Sequence, residues 1–296
     1  MLSNNIIITN LQMMNQISNA WLVWIKKNLN SGCSPHSLLE VMIKEKVDAE
    51  VAEKAILELL RKQTDNVDPE IISNQYSYET SHIPSGNQIV LANKTLDVAF
   101  RLSQPDIVLI NNFLSDAECE ALINLSSTKL LPSTVIDVVS GGRKIHELRT
   151  SEGMSFKRGE NELIKQLESR ISELVNLPIE NGEGIQVLHY RAGAEYRPHY
   201  DYFPENETGG KKYIEQGGQR IVTLIMYLND VDEGGETVFP ELNLSVVPQR
   251  GSMLYFSYFN SLGQLDEKTL HGGAPVIRGD KWIATKWIRK NRYSGN

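Results

Sequence analysis

The sequence predicts an α+β protein: a small N-terminal helical bundle, then a double-layered jelly-roll or cupin-like barrel with helices packed on one of its sheets. Three observations predict it. Apolar residues recur at three- and four-residue spacing through residues 17–62, two further helical stretches follow, and from Ile185 onward the chain turns into a succession of short strand-like runs. The expected boundaries are 1–65 for the bundle, 66–100 for a linker and 101–292 for the barrel domain.

Each element has a local reason. Trp21, Trp24, Ile25 and Leu29 share one helical face. Ser34-Pro35 reads as an N-cap with proline at the first helical position, ahead of Leu38, Leu39, Val41, Met42 and Ile43. Asp48 caps a third helix carrying Val51, Ala55, Ile56, Leu59 and Leu60. Three short helices bury little by themselves, so the bundle is expected to dock on the next domain, a second subunit (a homodimer) or a partner. Residues 63–88 are polar and hold Pro84 and Gly86, as a linker would. Asp106–Leu114 reads as a strand, and Ser115 with Glu118 forms a capping box for the helix after it. Another helix is expected over Glu160–Leu177. Strands are expected at Ile185–Tyr190, Arg197–Tyr202, Ile221–Leu228, Leu244–Pro248, Ser252–Phe259 and Lys281–Lys290.

Composition narrows the function. The chain has 296 residues, 41% hydrophobic and 23% charged, in the ordinary range for a globular protein. Its formal charge of −7 argues against non-specific nucleic-acid binding. No long apolar stretch predicts a membrane span, and the N-terminus has neither the charged start nor the apolar core of a secretory signal. Cys33 and Cys119 form no metal-binding pattern and are expected as small buried thiols. The expected compartment is cytoplasmic.

The chemistry concentrates in four residues. His199 and Asp201 stand two apart in Tyr-Arg-Pro-His-Tyr-Asp-Tyr-Phe, a spacing that puts both on one face of a strand. His271 lies far along the chain in Leu-His-Gly-Gly-Ala-Pro, and Lys281 follows it by ten residues. Two imidazoles and one carboxylate can take one face of an octahedral ferrous ion and leave the other open. A structural zinc would favour a fourth protein ligand, often cysteine, and none is evident. Lys281 opens a strand with Ile283, Thr285 and Trp287 on alternate positions, so it would face inward. There a lysine is costly without an anion.

With Gly218-Gln219-Arg220-Ile221-Val222-Thr223, Gly234-Gly235-Glu236-Thr237-Val238-Phe239-Pro240 and the closing run Lys281–Ile288, this pattern resembles the prolyl 4-hydroxylase family of Fe(II)- and 2-oxoglutarate-dependent dioxygenases. The likeness spans about Pro105 to Arg292. It implies a double-stranded β-helix. It implies Fe(II) on His199, Asp201 and His271, with 2-oxoglutarate on Lys281, Tyr190 and Thr237. The implied reaction is hydroxylation of peptidyl proline with O2, turning 2-oxoglutarate into succinate, with L-ascorbate as a rescuing reductant. It also implies peptide contacts at Arg149, Ser151, Glu183, Tyr196, Arg220 and Trp287. Asp201 points to hydroxylation, because halogenating relatives carry a small residue there. Arg289 stands where many relatives have a peptide-touching histidine. Two rivals remain open at this point. One is a hydroxylase of a free amino acid, a lysyl side chain or another small molecule. The other is a non-catalytic module that senses metal or oxo-acid. Two glycine-bearing stretches, Val139–His146 and Tyr202–Gln219, are expected as mobile lids. His189, beside Tyr190, is expected on the other strand face in a structural role. His36, His82 and His146 are given no role.

Overall fold

The computed structural model describes residues 17–30, 33–65, 76–133, 135–136, 143–144 and 149–295. The chain divides into two units, Met1–Gln75 and Tyr76–Asn296. In the first, α1 (Asn19–Asn30), α2 (Pro35–Lys44) and α3 (Ala49–Asp65) follow the predicted periodicity. Ser34 Oγ accepts from Ser37 N at 3.1 Å, and Asp48 Oδ1 accepts from the amides of Glu50 and Val51, both at 3.1 Å. Each such cap is worth about 1 kcal/mol. Ile25, Leu38, Met42, Ala52, Ala55 and Ile56 form the small core. Cys33 is exposed, contrary to expectation, because it precedes α2 and belongs to no apolar face.

The second unit opens with β1 (Gln88–Leu91), β2 (Lys94–Ser103), β3 (Asp106–Asn111) and α4 (Asp116–Ser127). Next come β4 (Leu131–Pro132), β5 (Val135–Ile136), β6 (Arg143–Lys144), β7 (Glu152–Phe156) and α5 (Glu162–Val175). β8 (Ile185–Tyr190), β9 (Tyr196–His199), α6 (Thr208–Ile214), β10 (Arg220–Tyr227) and β11 (Glu233–Gly234) follow. The chain ends through β12 (Thr237–Phe239), β13 (Leu244–Val246), β14 (Met253–Ser257), β15 (His271–Gly273), β16 (Val276–Arg278) and β17 (Lys281–Arg289).

Nine strands pair in the order β1-β2-β3-β14-β10-β17-β8-β7-β4, and four in the order β13-β12-β15-β9. The pairings are antiparallel, and the two sheets make the jelly-roll, α+β architecture. β1 and β2 run through the stretch expected as linker. Ile89, Leu91 and Leu96 of this hairpin are buried, and Ala92 N donates to Glu173 of α5 at 2.7 Å. Leu96, Val98, Phe100 and Leu102 alternate along β2 as a strand requires, a period-2 signal that the linker reading passed over.

Strand alternation builds two cores. On β10, Val222, Leu224 and Met226 face outward onto Cys119 and Leu122 of α4 and Ile164, Leu167, Ile171 and Leu174 of α5. Ile225 and Tyr227 face inward, in one cluster with Phe239 and Val246 of the smaller sheet. Both faces are buried, which is why Ile221–Leu228 reads as an apolar run broken only by Thr223. In the outer layer Lys286 Nζ meets Glu168 Oε1 at 2.6 Å, each side chain 2% exposed. Gly182 permits this: a Cβ there would fall 2.5 Å from Lys286 Cε. Among the described residues no helix is long and apolar enough to cross a membrane.

Candidate active site

β9 and β15 pair so that His199 lies directly opposite His271, with ring centroids 4.5 Å apart. A Cβ on Gly272 would fall 2.8 Å from Tyr196 O, so glycine is what lets the two histidine-bearing strands run this close. Asp201 sits just past the end of β9, not within a longer strand as predicted, because the ladder stops at His199. It still reaches the same side. Asp201 Oδ1 is 3.7 Å from His199 Nε2, and Oδ2 is 3.4 Å from His271 Nε2. One ligand atom from each residue lies within 4.8 Å of the others, which among the described residues makes this the one cluster of its kind.

The donors have the right protonation. His199 Nδ1 is 2.9 Å from Arg197 O and His271 Nδ1 is 3.0 Å from Thr269 O. A carbonyl only accepts, so Nδ1 carries a proton in each ring, which in a neutral imidazole leaves the Nε2 lone pair toward Asp201. Burial, then the neighbouring His271, lowers His199 to about 3, so it is neutral. Burial pushes Asp201 the other way, but His271, His199 and Arg220 together hold it below the usual carboxylate range. Two neutral imidazoles and one ionised carboxylate are what a ferrous ion binds.

Lys281 opens β17 opposite Tyr190 and is 2% exposed, as the alternation predicted. Its ammonium lies 5.5 Å from the Tyr190 ring centroid. Among the described residues no carboxylate comes within ion-pair distance of it. Burial lowers it to about 8, against a weaker pull from Glu236. One cavity is lined by His199, Asp201, His271, Lys281, Tyr190, Thr237, Ile283, Thr285 and Trp287. Tyr227 OH donates to Thr237 Oγ1 at 2.8 Å, which leaves the Thr237 proton for another acceptor.

The residues expected to touch peptide divide into two groups. Arg149, Tyr196 and Trp287 line the cavity. Arg149 is buried, not solvated: it donates to Ser151 Oγ and Gln186 Oε1, both at 3.2 Å, and lies 4.7 Å over Tyr196. Tyr196 stacks on His199 at 3.6 Å. Ser151, Glu183 and Arg220 lie behind this wall and do not line the cavity. Ser151 donates to Ser133 Oγ at 2.9 Å. Glu183 Oε1 takes Arg220 Nε and Arg289 Nε, both at 2.6 Å. Arg220 stacks on Trp287 at 4.0 Å and donates to Asp201 O at 3.3 Å. Arg289, 1% exposed, also donates to the carbonyls of Tyr213 and Gly218. Sequence missed this ion network because its members stand far apart in the chain.

Sequence also missed Thr223, whose hydroxyl donates to Asp201 Oδ2 at 2.7 Å, and Tyr258 beside it at 3.0 Å. The available signal was a polar residue on the inward positions 223, 225 and 227 of β10. The stretch 202–219 is no plain loop. It holds α6, Phe203 stacks on Tyr213 at 5.3 Å, and Gln219 exchanges two 2.8 Å hydrogen bonds with the Phe203 backbone. In the other expected lid, Val139–His146, only 143–144 fall within the described residues. His189 takes the opposite face, stacked on Trp282 at 4.1 Å, away from the cavity.

A jelly roll with two histidines and an aspartate beside a buried lysine is the arrangement of a 2-oxoglutarate- and Fe(II)-dependent oxygenase. Residues 185–289 match the 2OG-Fe(II) oxygenase superfamily. Prolyl 4-hydroxylase 5 of Arabidopsis thaliana is 43% identical over 209 residues, covering 64% of this chain and 70% of that one. Probable prolyl 4-hydroxylase 3 of the same plant is also 43% identical over 209 residues, covering 64% and 71%. A solved viral collagen prolyl hydroxylase from Paramecium bursaria Chlorella virus-1 is 32% identical with a TM-score of 0.49, over 62% of this chain and 95% of that one. This chain belongs to the prolyl 4-hydroxylase family. It is therefore a 2-oxoglutarate-dependent dioxygenase of prolyl-hydroxylase type, and neither a metal-sensing module nor a small-molecule hydroxylase is favoured.

Proposed function

We propose that the chain hydroxylates a prolyl residue within a peptide, with Fe(II) held by His199, Asp201 and His271 and the distal carboxylate of 2-oxoglutarate held by Lys281. The observation that carries this reading is the Lys281 ammonium, buried in the same cavity as the three ligands and without a carboxylate of its own among the described residues. A buried cation needs an anion, and a diacid anchored near the metal supplies one. Tyr190 and Thr237, which line the same cavity, would donate hydrogen bonds to that carboxylate. The bound iron and 2-oxoglutarate supply the oxidation: O2 is consumed, the oxo-acid becomes succinate and CO2, and the proline gains one hydroxyl oxygen. L-ascorbate belongs to the proposal as the reductant that rescues oxidised metal.

The protein supplies placement and a dry cavity. Tyr196, braced by Arg149, and Trp287, braced by Arg220, form the peptide-facing wall. Trp287 lines the cavity beside Tyr196, and its Nε1 is buried with no acceptor among the described residues. Ser151, Glu183 and Arg220 hold that wall in register. An extended proline-rich peptide, pre-organised as a polyproline helix, loses little entropy on such a surface. The exposed free thiol of Cys33 fits a reducing cytoplasm. Exposed Val23, Val41, Ile43 and Leu57 motivate a homodimer or partner contact through the N-terminal helices. Light scattering of the full chain carrying V23E and L57E tests the homodimer, and a mass equal to the unaltered chain's counts against it.

The central test uses purified protein, Fe(II), 2-oxoglutarate and a proline-rich peptide. Succinate should form together with a hydroxylated peptide proline, located by fragmentation mass spectrometry. H199A or D201A should abolish both products; turnover equal to the unaltered chain's would refute the ligand assignment.

A further inference from the structure

Of the three metal-facing side chains, Asp201 is the least constrained by its backbone. His199 and His271 sit in paired strands, and each has its Nδ1 tied to a carbonyl two residues back. Asp201 lies beyond the ladder, so its carboxylate plane depends on side-chain contacts. Besides the two histidines, the carboxylate is met from the neighbouring sheet. Thr223, fully buried on β10, donates to Asp201 Oδ2 at 2.7 Å, and Tyr258 OH, also fully buried, lies 3.0 Å from the same threonine oxygen.

Counting protons fixes the direction of this chain. An ionised carboxylate only accepts, so the single Thr223 proton goes to Asp201. Tyr258 must then be the donor to Thr223 Oγ1. The result is a one-way relay, Tyr258 to Thr223 to Asp201, in a buried layer where successive hydrogen bonds reinforce one another. Resting on the metal-ligand reading above, we propose that Thr223 is a positioning residue. Its hydroxyl, oriented by Tyr258, engages one oxygen of Asp201, stops the carboxylate rotating, and leaves the other oxygen as the metal donor.

One-oxygen binding matters because a two-oxygen carboxylate would take a coordination position that 2-oxoglutarate needs. Orienting partners of this kind usually change metal affinity by about 10–100-fold.

The test uses the full chain stripped of metal and titrated with Co(II), read by affinity and by the visible absorption of the bound ion. T223V should bind Co(II) about 10–100-fold more weakly and with a changed spectrum, while T223S restores both. Y258F, which removes a single oxygen, should shift both readings the same way by a smaller factor. A T223V protein with unaltered affinity and spectrum overturns the proposal. Should T223V fail to fold, Y258F decides alone, and unaltered readings from it overturn the relay. D201A separates the two layers of argument. If D201A binds Co(II) as the unaltered chain does, the ligand assignment fails. If D201A loses Co(II) while T223V and Y258F keep it, only the relay fails.

Discussion

Lys281 and Lys286 stand five residues apart on β17, and each is 2% exposed. They point to opposite faces of the same strand and so enter different layers. Lys286 faces the helices and finds Glu168 at 2.6 Å. Lys281 faces the smaller sheet and finds an aromatic ring, a threonine and a cavity. A buried cation matched inside the protein holds layers together. A buried cation left unmatched is an anion receptor waiting for its ligand. The same side chain at the same burial therefore has two meanings, and the partner tells them apart.

The sharpest way to break this contrast is to remove each lysine in turn. K286M leaves Glu168 buried without its cation and should cost about 3–5 kcal/mol in urea unfolding. Adding E168Q should recover most of that loss, because the amide oxygen still accepts from Gly159 N, now held at 2.9 Å by Glu168. If K286M alone unfolds at the same urea concentration as the unaltered chain, the pair is not structural. K281M should do the reverse. The metal-free protein should be no less stable, since an uncompensated buried charge has gone. Binding of 2-oxoglutarate should weaken by about 10–100-fold, the scale of one or two charge-assisted hydrogen bonds. Calorimetry showing undiminished 2-oxoglutarate binding would remove Lys281 from the site.

The smallest effect is in pH. Burial has lowered Lys281 to about 8 in the folded chain, below its ordinary 10.5. The protonated form binds a carboxylate best, so 2-oxoglutarate affinity should be flat below about pH 8 and fall above it by at most about tenfold per unit, levelling off at the affinity of K281M. Stability should move the opposite way. Between about 8 and 10.5 the unfolded chain binds the extra proton, so this lysine's penalty on folding is full below 8 and fades as pH rises. K281M should remove both dependences, and a 2-oxoglutarate profile left unchanged by K281M would trace them to another group.

What could be read from the sequence follows from how local each feature is. The helix caps at Ser34, Asp48 and Ser115 depend on neighbours within three residues, and they stand where expected. β8 spans Ile185–Tyr190 as its alternation indicates. His199, Asp201, His271 and Lys281 were legible because their types and spacing are rare together. The Glu183–Arg220–Arg289 network was not, because register across β10 and β17 brings its members together. Thr223 was hidden for a related reason: nothing near it in sequence announces Asp201. The β1–β2 hairpin escaped because the polar stretch before it masked the alternation of Leu96, Val98, Phe100 and Leu102, and α6 because two glycines open it.

The two hydrogen bonds between Gln219 and the Phe203 backbone act as a staple at the base of residues 204–218. A primary amide imitates one rung of a strand pair, donating and accepting at once. With both ends clamped, the excursion between them is anchored independently of its length. Doubling a loop's length costs only about 0.6 kcal/mol in closure entropy. Evolution, or an engineer, can thus trade this insert for a longer or differently charged one while the carboxylate two residues upstream of the clamp keeps its place.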